Sequence, residues 1–152
     1  GLVYKDFYAD SAVTVGVGEV SSAARQLIEI TREALNLAVK QAWPGKTLGD
    51  IGWVIKDLVK SNGFSIAETL TGHGIGRSLH EEPSVFNFGQ PGKGEKLEIG
   101  MVLAIEPMVN AGGSKVKQLP DDSFATADGS LSAHFEHTVA IMADGPRILT
   151  KI

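Results

Sequence analysis

The sequence predicts an α+β chain in which antiparallel strands pack on one layer of helices. Three observations lead there. Two stretches with apolar residues three or four apart lie in the first half of the chain. Short apolar or alternating runs, better suited to strands than helices, fill most of the rest. Glycine and proline punctuate the boundaries between them.

In chain order, residues 2–15 read as a hairpin. Lys5-Asp6 forms the turn, and Ala12, Val13 and Val15 extend the second arm. Ser21 or Ser22 can then cap a helix over residues 23–43. Its apolar positions Ala24, Leu27, Thr31, Ala34, Leu35, Ala38 and Ala42 share one face, and Pro44-Gly45 stops it. Thr47-Leu48-Gly49-Asp50 resembles a capping box with Asp in place of Glu. Leu48, Ile51, Ile55, Leu58 and Val59 continue a second amphipathic helix, which Asn62-Gly63 ends. Residues 64–70 read as a short strand, 71–83 as a glycine- and histidine-rich loop, and 84–100 as an open loop. Residues 101–109 are an apolar run broken by Glu106-Pro107, and 116–126 read as strand plus turn. Residues 133–142 form another apolar strand, and 147–152 close the chain.

Composition limits the function. The 152 residues suit one domain of ordinary size, with a charged fraction of 21% that excludes wholesale disorder. A net charge of −4 argues against a direct nucleic-acid site. Without cysteine there is no disulfide framework, zinc–thiolate site or thiol nucleophile. The apolar runs are too short to span a membrane, and with no visible signal peptide the expected compartment is the cytoplasm. The first residue is not Met, and a strand pattern starts almost at once, so the true N-terminus is expected upstream.

Four acidic or imidazole residues stand out. Glu106 and Glu136 each interrupt an apolar strand, where an unpartnered charge is expensive to bury. No apolar-embedded Lys or Arg lies nearby in sequence to neutralise them. In residues 133–141 the alternation puts His134, Glu136 and Thr138 on one face. His73 sits between glycines in Thr71-Gly72-His73-Gly74-Ile75-Gly76-Arg77, a run that fits no phosphate loop. Asp10, on the opening hairpin, reads as an ordinary surface residue when taken alone. Together Asp10, His73, Glu106 and Glu136 offer three carboxylates and one imidazole, a donor set suited to Mn, Fe, Co or Zn. Carboxylates can also bridge two such ions.

The run 71–77 with His80-Glu81-Glu82-Pro83, then Ile105-Glu106-Pro107-Met108-Val109, then Ser132-Ala133-His134-Phe135-Glu136-His137-Thr138 closely resemble the type I methionine aminopeptidase family. Lys5-Asp6-Phe7-Tyr8-Ala9-Asp10 matches that family's second metal Asp. The resemblance implies a pita-bread fold, with one curved antiparallel sheet covered by helices. It identifies 1–152 as a partial catalytic domain that starts after the first metal-binding Asp. It also implies a hydrolase that removes the N-terminal Met from nascent proteins and peptides, using two divalent ions (Co, Mn, Fe or Zn). In that reading Asp10 and Glu136 bridge the ions, His73 and Glu106 complete one shell, and Glu106 doubles as general base. His80 contacts the substrate's peptide group, and Leu79 helps line the Met pocket. The substrates would be N-termini beginning with Met, met near the ribosome, and the full-length enzyme would be a monomer.

The family's first metal Asp would fall just upstream of Gly1, and its upstream His and most of its Met pocket are also absent. A polypeptide of these residues alone is therefore expected to be inactive. Phe124 is the nearest aromatic to a position where the family often has Trp. Two rivals remain. One is an X-Pro aminopeptidase or prolidase on the same fold, and the other is a pita-bread module that binds partners without catalysis.

Overall fold

Helix α1 (Ser22–Gln41) begins where the Ser21 hydroxyl accepts the Ala24 N–H at 3.1 Å. It buries Leu27, Thr31, Ala34, Leu35, Ala38 and Val39, the face its spacing predicts. Thr31 is tolerated there because its hydroxyl donates to the Leu27 carbonyl at 2.7 Å. Helix α2 (Leu48–Ser61) carries the expected capping box. Asp50 N–H donates to the Thr47 hydroxyl, and Thr47 N–H donates to the Asp50 carboxylate at 2.8 Å. Ile51, Ile55 and Val59 are fully buried against α1 and the sheet. This is a computed structural model, and it describes residues 1–151, so the end of the expected closing segment, Ile152, lies outside them.

The strands are β1 (Leu2–Tyr4), β2 (Phe7–Ala9), β3 (Ser11–Ala12), β4 (Ser65–Ile66), β5 (Gly72–Gly74), β6 (Glu81–Val85) and β7 (Val102–Ile105). They continue with β8 (Met108–Asn110), β9 (Val116–Gln118), β10 (Phe124–Thr126), β11 (Ser132–His134), β12 (Glu136–Met142) and β13 (Gly145–Ile148). The main sheet runs β13-β12-β7-β5-β6, with β3 also paired to β12, and every pairing is antiparallel. A second sheet runs β11-β8-β4. Two of the chain's passages between these sheets are very short, from β7 to β8 through Glu106-Pro107 and from β11 to β12 through Phe135. Proline supplies no ladder donor, so the first crossing is where the run must bend. Leu103, Ile105, Val109, Val139 and Ile141 face the helices and form one core with them.

Three expectations change. The opening hairpin is only β1 and β2, joined by Lys5 and Asp6, both with left-handed backbones (φ 48° and 65°). From Asp10 the chain leaves the hairpin and pairs with β12, so Ala12 does not extend the second arm and Val13 and Val15 stay exposed. Residues 71–83 are not all loop, because β5 is an interior strand between β6 and β7. Its glycines hide it from propensity, yet they permit it. A Cβ on Gly72 would lie 2.3 Å from the Ala104 carbonyl, and one on Gly74 would lie 2.2 Å from that of Glu82. The strand expected over 64–70 shrinks to β4.

Candidate metal centre

Cross-strand partners point to the same face of a sheet. Ala104 pairs with both His73 and Thr138, which puts the β5 imidazole on the Thr138 face of β12. Two residues along, Glu136 and Glu106 share that face by alternation, and Ala12, opposite Glu136, brings Asp10 there too. The helices cover the other face. The four residues expected to act together therefore converge on one open side of the sheet, from four separate segments.

Threonine and asparagine fix their backbones. The Thr138 hydroxyl accepts the Asp10 N–H at 2.9 Å and donates to the Asp10 carbonyl at 2.7 Å, tying Asp10 to β12. Asn87, 1% exposed, donates its amide to the Glu106 carbonyl at 3.0 Å, at the break before Pro107. Neither role is foreshadowed by periodicity, since an Asn in a loop is ordinarily an exposed turn residue.

His73 is 8% exposed, and its Nδ1 lies 2.9 Å from the Gly74 carbonyl oxygen. A carbonyl only accepts, so Nδ1 carries the proton there, and in the neutral ring Nε2 keeps its lone pair. That nitrogen faces Glu106 Oε1 at 3.5 Å. On the far side of the same carboxylate, His134 Nε2 lies 3.2 Å from Glu106 Oε2 without hydrogen-bonding geometry. His134 was not among the ligands expected from sequence, but it lies beside this carboxylate, and alternation had already put it on the face of Glu136.

Glu136 is 4% exposed, and its Oε1 has no hydrogen-bond partner. Burial, then the charges of Glu106 and Asp10, push its carboxyl up to about 7. Buried acceptors that face one another without donors between them fit a cation. Two overlapping sets have ligand atoms within 4.8 Å of one another: Asp10 with His73 and Glu136, and Glu106 with His134 and Glu136. Both contain Glu136, so a carboxylate is placed where one group can serve two positions. Hard oxygens with imidazole nitrogen suit a divalent first-row ion.

A cavity of about 410 Å³ opens over this cluster, lined by His73, His80, Glu106 and His134 together with Met108 and Phe124. The His80 ring packs edge-on against His73, with centroids 4.3 Å apart. Leu79 does not line this cavity. It lies on the Asp10 side, beside Gly1.

The chain also resembles known proteins over its whole length. The model of metallopeptidase family M24 matches residues 1–143. The chain is 51% identical over 153 residues to the methionine aminopeptidase of Clostridium perfringens, covering 100% of this chain and 61% of that protein. The crystal structure of methionine aminopeptidase from Thermotoga maritima superposes with a TM-score of 0.96 at 46% identity, over 99% of this chain and 61% of that one. Prolidase from Pyrococcus furiosus superposes less closely, with a TM-score of 0.77 at 26% identity, over 99% of this chain and 39% of that one. The chain thus spans about 60% of the length of its methionine aminopeptidase relatives. The pita-bread expectation holds, with a curled antiparallel sheet and two covering helices.

Proposed function

Because the chain belongs to metallopeptidase family M24, we propose that it forms part of the catalytic domain of a methionine aminopeptidase, which hydrolyses the N-terminal Met from peptides. The observation that carries this reading is the much closer match to methionine aminopeptidase than to prolidase, in identity as in superposition. Two divalent ions are proposed, which Asp10, His73, Glu106 and Glu136 would hold. When bound, such ions polarise the scissile carbonyl and make hydroxide available near neutral pH.

The chain's own groups supply the rest. His73, its Nδ1 proton engaged by Gly74, presents a lone pair in a fixed direction. Glu106 lies at the cavity floor, where its carboxylate can take a proton from an attacking water and pass it to the leaving amine. His80, at the cavity rim, can donate to the peptide carbonyl as negative charge develops on its oxygen. Leu79, near Asp10, is proposed to touch the Met side chain. The partners are peptide N-termini beginning with Met. Among the described residues no helix is long and apolar enough to cross a membrane.

The test is a substrate panel given to the protein that carries these residues, after metal is restored. Release of Met from Met-Gly and Met-Ala peptides, with Xaa-Pro peptides left intact, supports the proposal. Cleavage confined to Xaa-Pro bonds assigns the prolidase-like activity instead, and no metal-dependent release from either class returns the chain to a binding role.

A further inference from the structure

Glu106 and Glu136 both stand where the chain crosses from one sheet to the other, and the backbone there is weakly held on one flank. His137 pairs with Ile105 and His134 with Met108 in one antiparallel register, which sets Glu136 opposite Glu106 and Phe135 opposite Pro107. Pro107 has no N–H to give, and the Phe135 N–H reaches the Pro107 carbonyl only at 3.4 Å.

The other flank of the crossing carries residues 10–14. Ala12 pairs with Glu136 and Ser11 with His137. The same register, continued at both ends, puts Asp10 opposite Thr138 and Thr14 opposite His134. At each end pair a threonine hydroxyl takes the place of the backbone ladder. Thr138 accepts the Asp10 N–H at 2.9 Å and donates to the Asp10 carbonyl at 2.7 Å. Thr14, 120 residues from His134 in sequence, accepts the His134 N–H and donates to the His134 carbonyl, each at 2.9 Å. A hydroxyl can serve one donor and one acceptor at once, so each clamp engages both backbone groups of the residue it holds. One clamp belongs to β12 in the main sheet, and the other grips the last residue of β11 in the second sheet.

We propose that Thr14 is a positioning residue for the metal centre. It straps the end of β11 to the segment that carries Asp10, and so fixes Glu136, two residues beyond the clamp, relative to Asp10 and Glu106. This inference rests on the metal-centre reading above and adds a residue outside the ligand set. Asp10 and Glu136 share one cluster whose ligand atoms lie within 4.8 Å of one another, and such groups must be held to about 0.5 Å to bind well. Val13 and Val15, on either side of Thr14, are exposed. The hydroxyl, rather than packing of its neighbours, therefore anchors this end of the strap.

The test titrates the metal-free protein carrying these residues with Zn(II) by calorimetry, alongside Thr14→Val and Thr14→Ser. Valine lacks both hydrogen-bonding functions, and serine restores them. The expected result is Zn(II) affinity weakened about 10–100-fold in Thr14→Val and largely regained in Thr14→Ser, with the helical circular dichroism of both unchanged. A role confined to stability would lower the melting temperature and leave the affinity of the folded protein unmoved. That outcome overturns the proposal, as does a serine variant that binds no better than the valine one. Should Thr14→Val fail to fold, amide hydrogen exchange of the unmodified protein decides. Zn(II) should slow exchange of the His134 N–H more than that of amides within α1, and an equal or smaller response contradicts the coupling. Failure of the unmodified protein to bind Zn(II) at all overturns the metal-centre reading, and this inference with it.

Discussion

Replacing Glu136 by Gln should make the metal-free protein more stable above neutral pH, although it removes a proposed ligand. Glu136 is shielded at the junction of β11 and β12, with Glu106 from the end of β7, Asp10 ahead of β3 and His134 from β11 around it. Its carboxyl is pushed from 4.5 up to about 7 by burial and by the two neighbouring carboxylates. The folded state therefore holds this proton more tightly than the unfolded chain does. Stability from this group is fully present below about pH 4.5, falls as pH rises towards 7, and stays low above it. The full shift corresponds to roughly 3 kcal/mol as an upper bound. Water in the open cavity screens the charges, which brings the expected effect to about 1–2 kcal/mol. Urea denaturation of EDTA-treated protein at pH 5 and pH 8 reads it directly. Between those conditions the unmodified protein should lose about 1–2 kcal/mol relative to Glu136→Gln, or roughly 3–6 °C in melting temperature. Equal pH dependence in the two proteins, or a variant that loses more stability at pH 8 than at pH 5, would refute the electrostatic argument.

Two other perturbations probe the scaffold around the site. Thr138→Val removes both hydrogen bonds to the Asp10 backbone while leaving every proposed ligand side chain in place, so metal affinity measured by calorimetry should weaken about 10–100-fold while the helices stay intact by circular dichroism. Gly72→Ala places a Cβ 2.3 Å from the Ala104 carbonyl, which must push β5 from β7. Urea unfolding should show a loss of about 1–3 kcal/mol, and an unaffected midpoint would mean that the strands are not packed so closely.

Much of this architecture was legible in the residues because it follows from period and capping. Leu27, Ala34, Leu35 and Ala38 announce α1, and Thr47 with Asp50 marks the start of α2 to the residue. Glu106 and Glu136 were conspicuous because charge is rare in such apolar runs. What escaped notice depends on partners distant in sequence. β5 consists of Gly-His-Gly, with no side-chain preference for a strand, and becomes one only because β6 and β7 flank it. Asp10 leaves its hairpin because Thr138, 128 residues away, supplies both of its backbone hydrogen bonds. His134 was visible on the Glu136 face, but its approach to Glu106 needs the pairing of β11 with β8, which alternation within one strand cannot reveal.

The central claim is that Asp10, His73, Glu106 and Glu136 form a metal centre on the open face of the sheet. Anomalous diffraction at the Mn or Co edge, from crystals of the protein carrying these residues soaked in that metal, tests it most directly. The account predicts peaks about 2.0–2.2 Å from His73 Nε2 and from carboxylate oxygens of Glu106 and Glu136, with Asp10 reaching the same cluster. Anomalous density only at other residues, or none at this cluster under saturating metal, would contradict it.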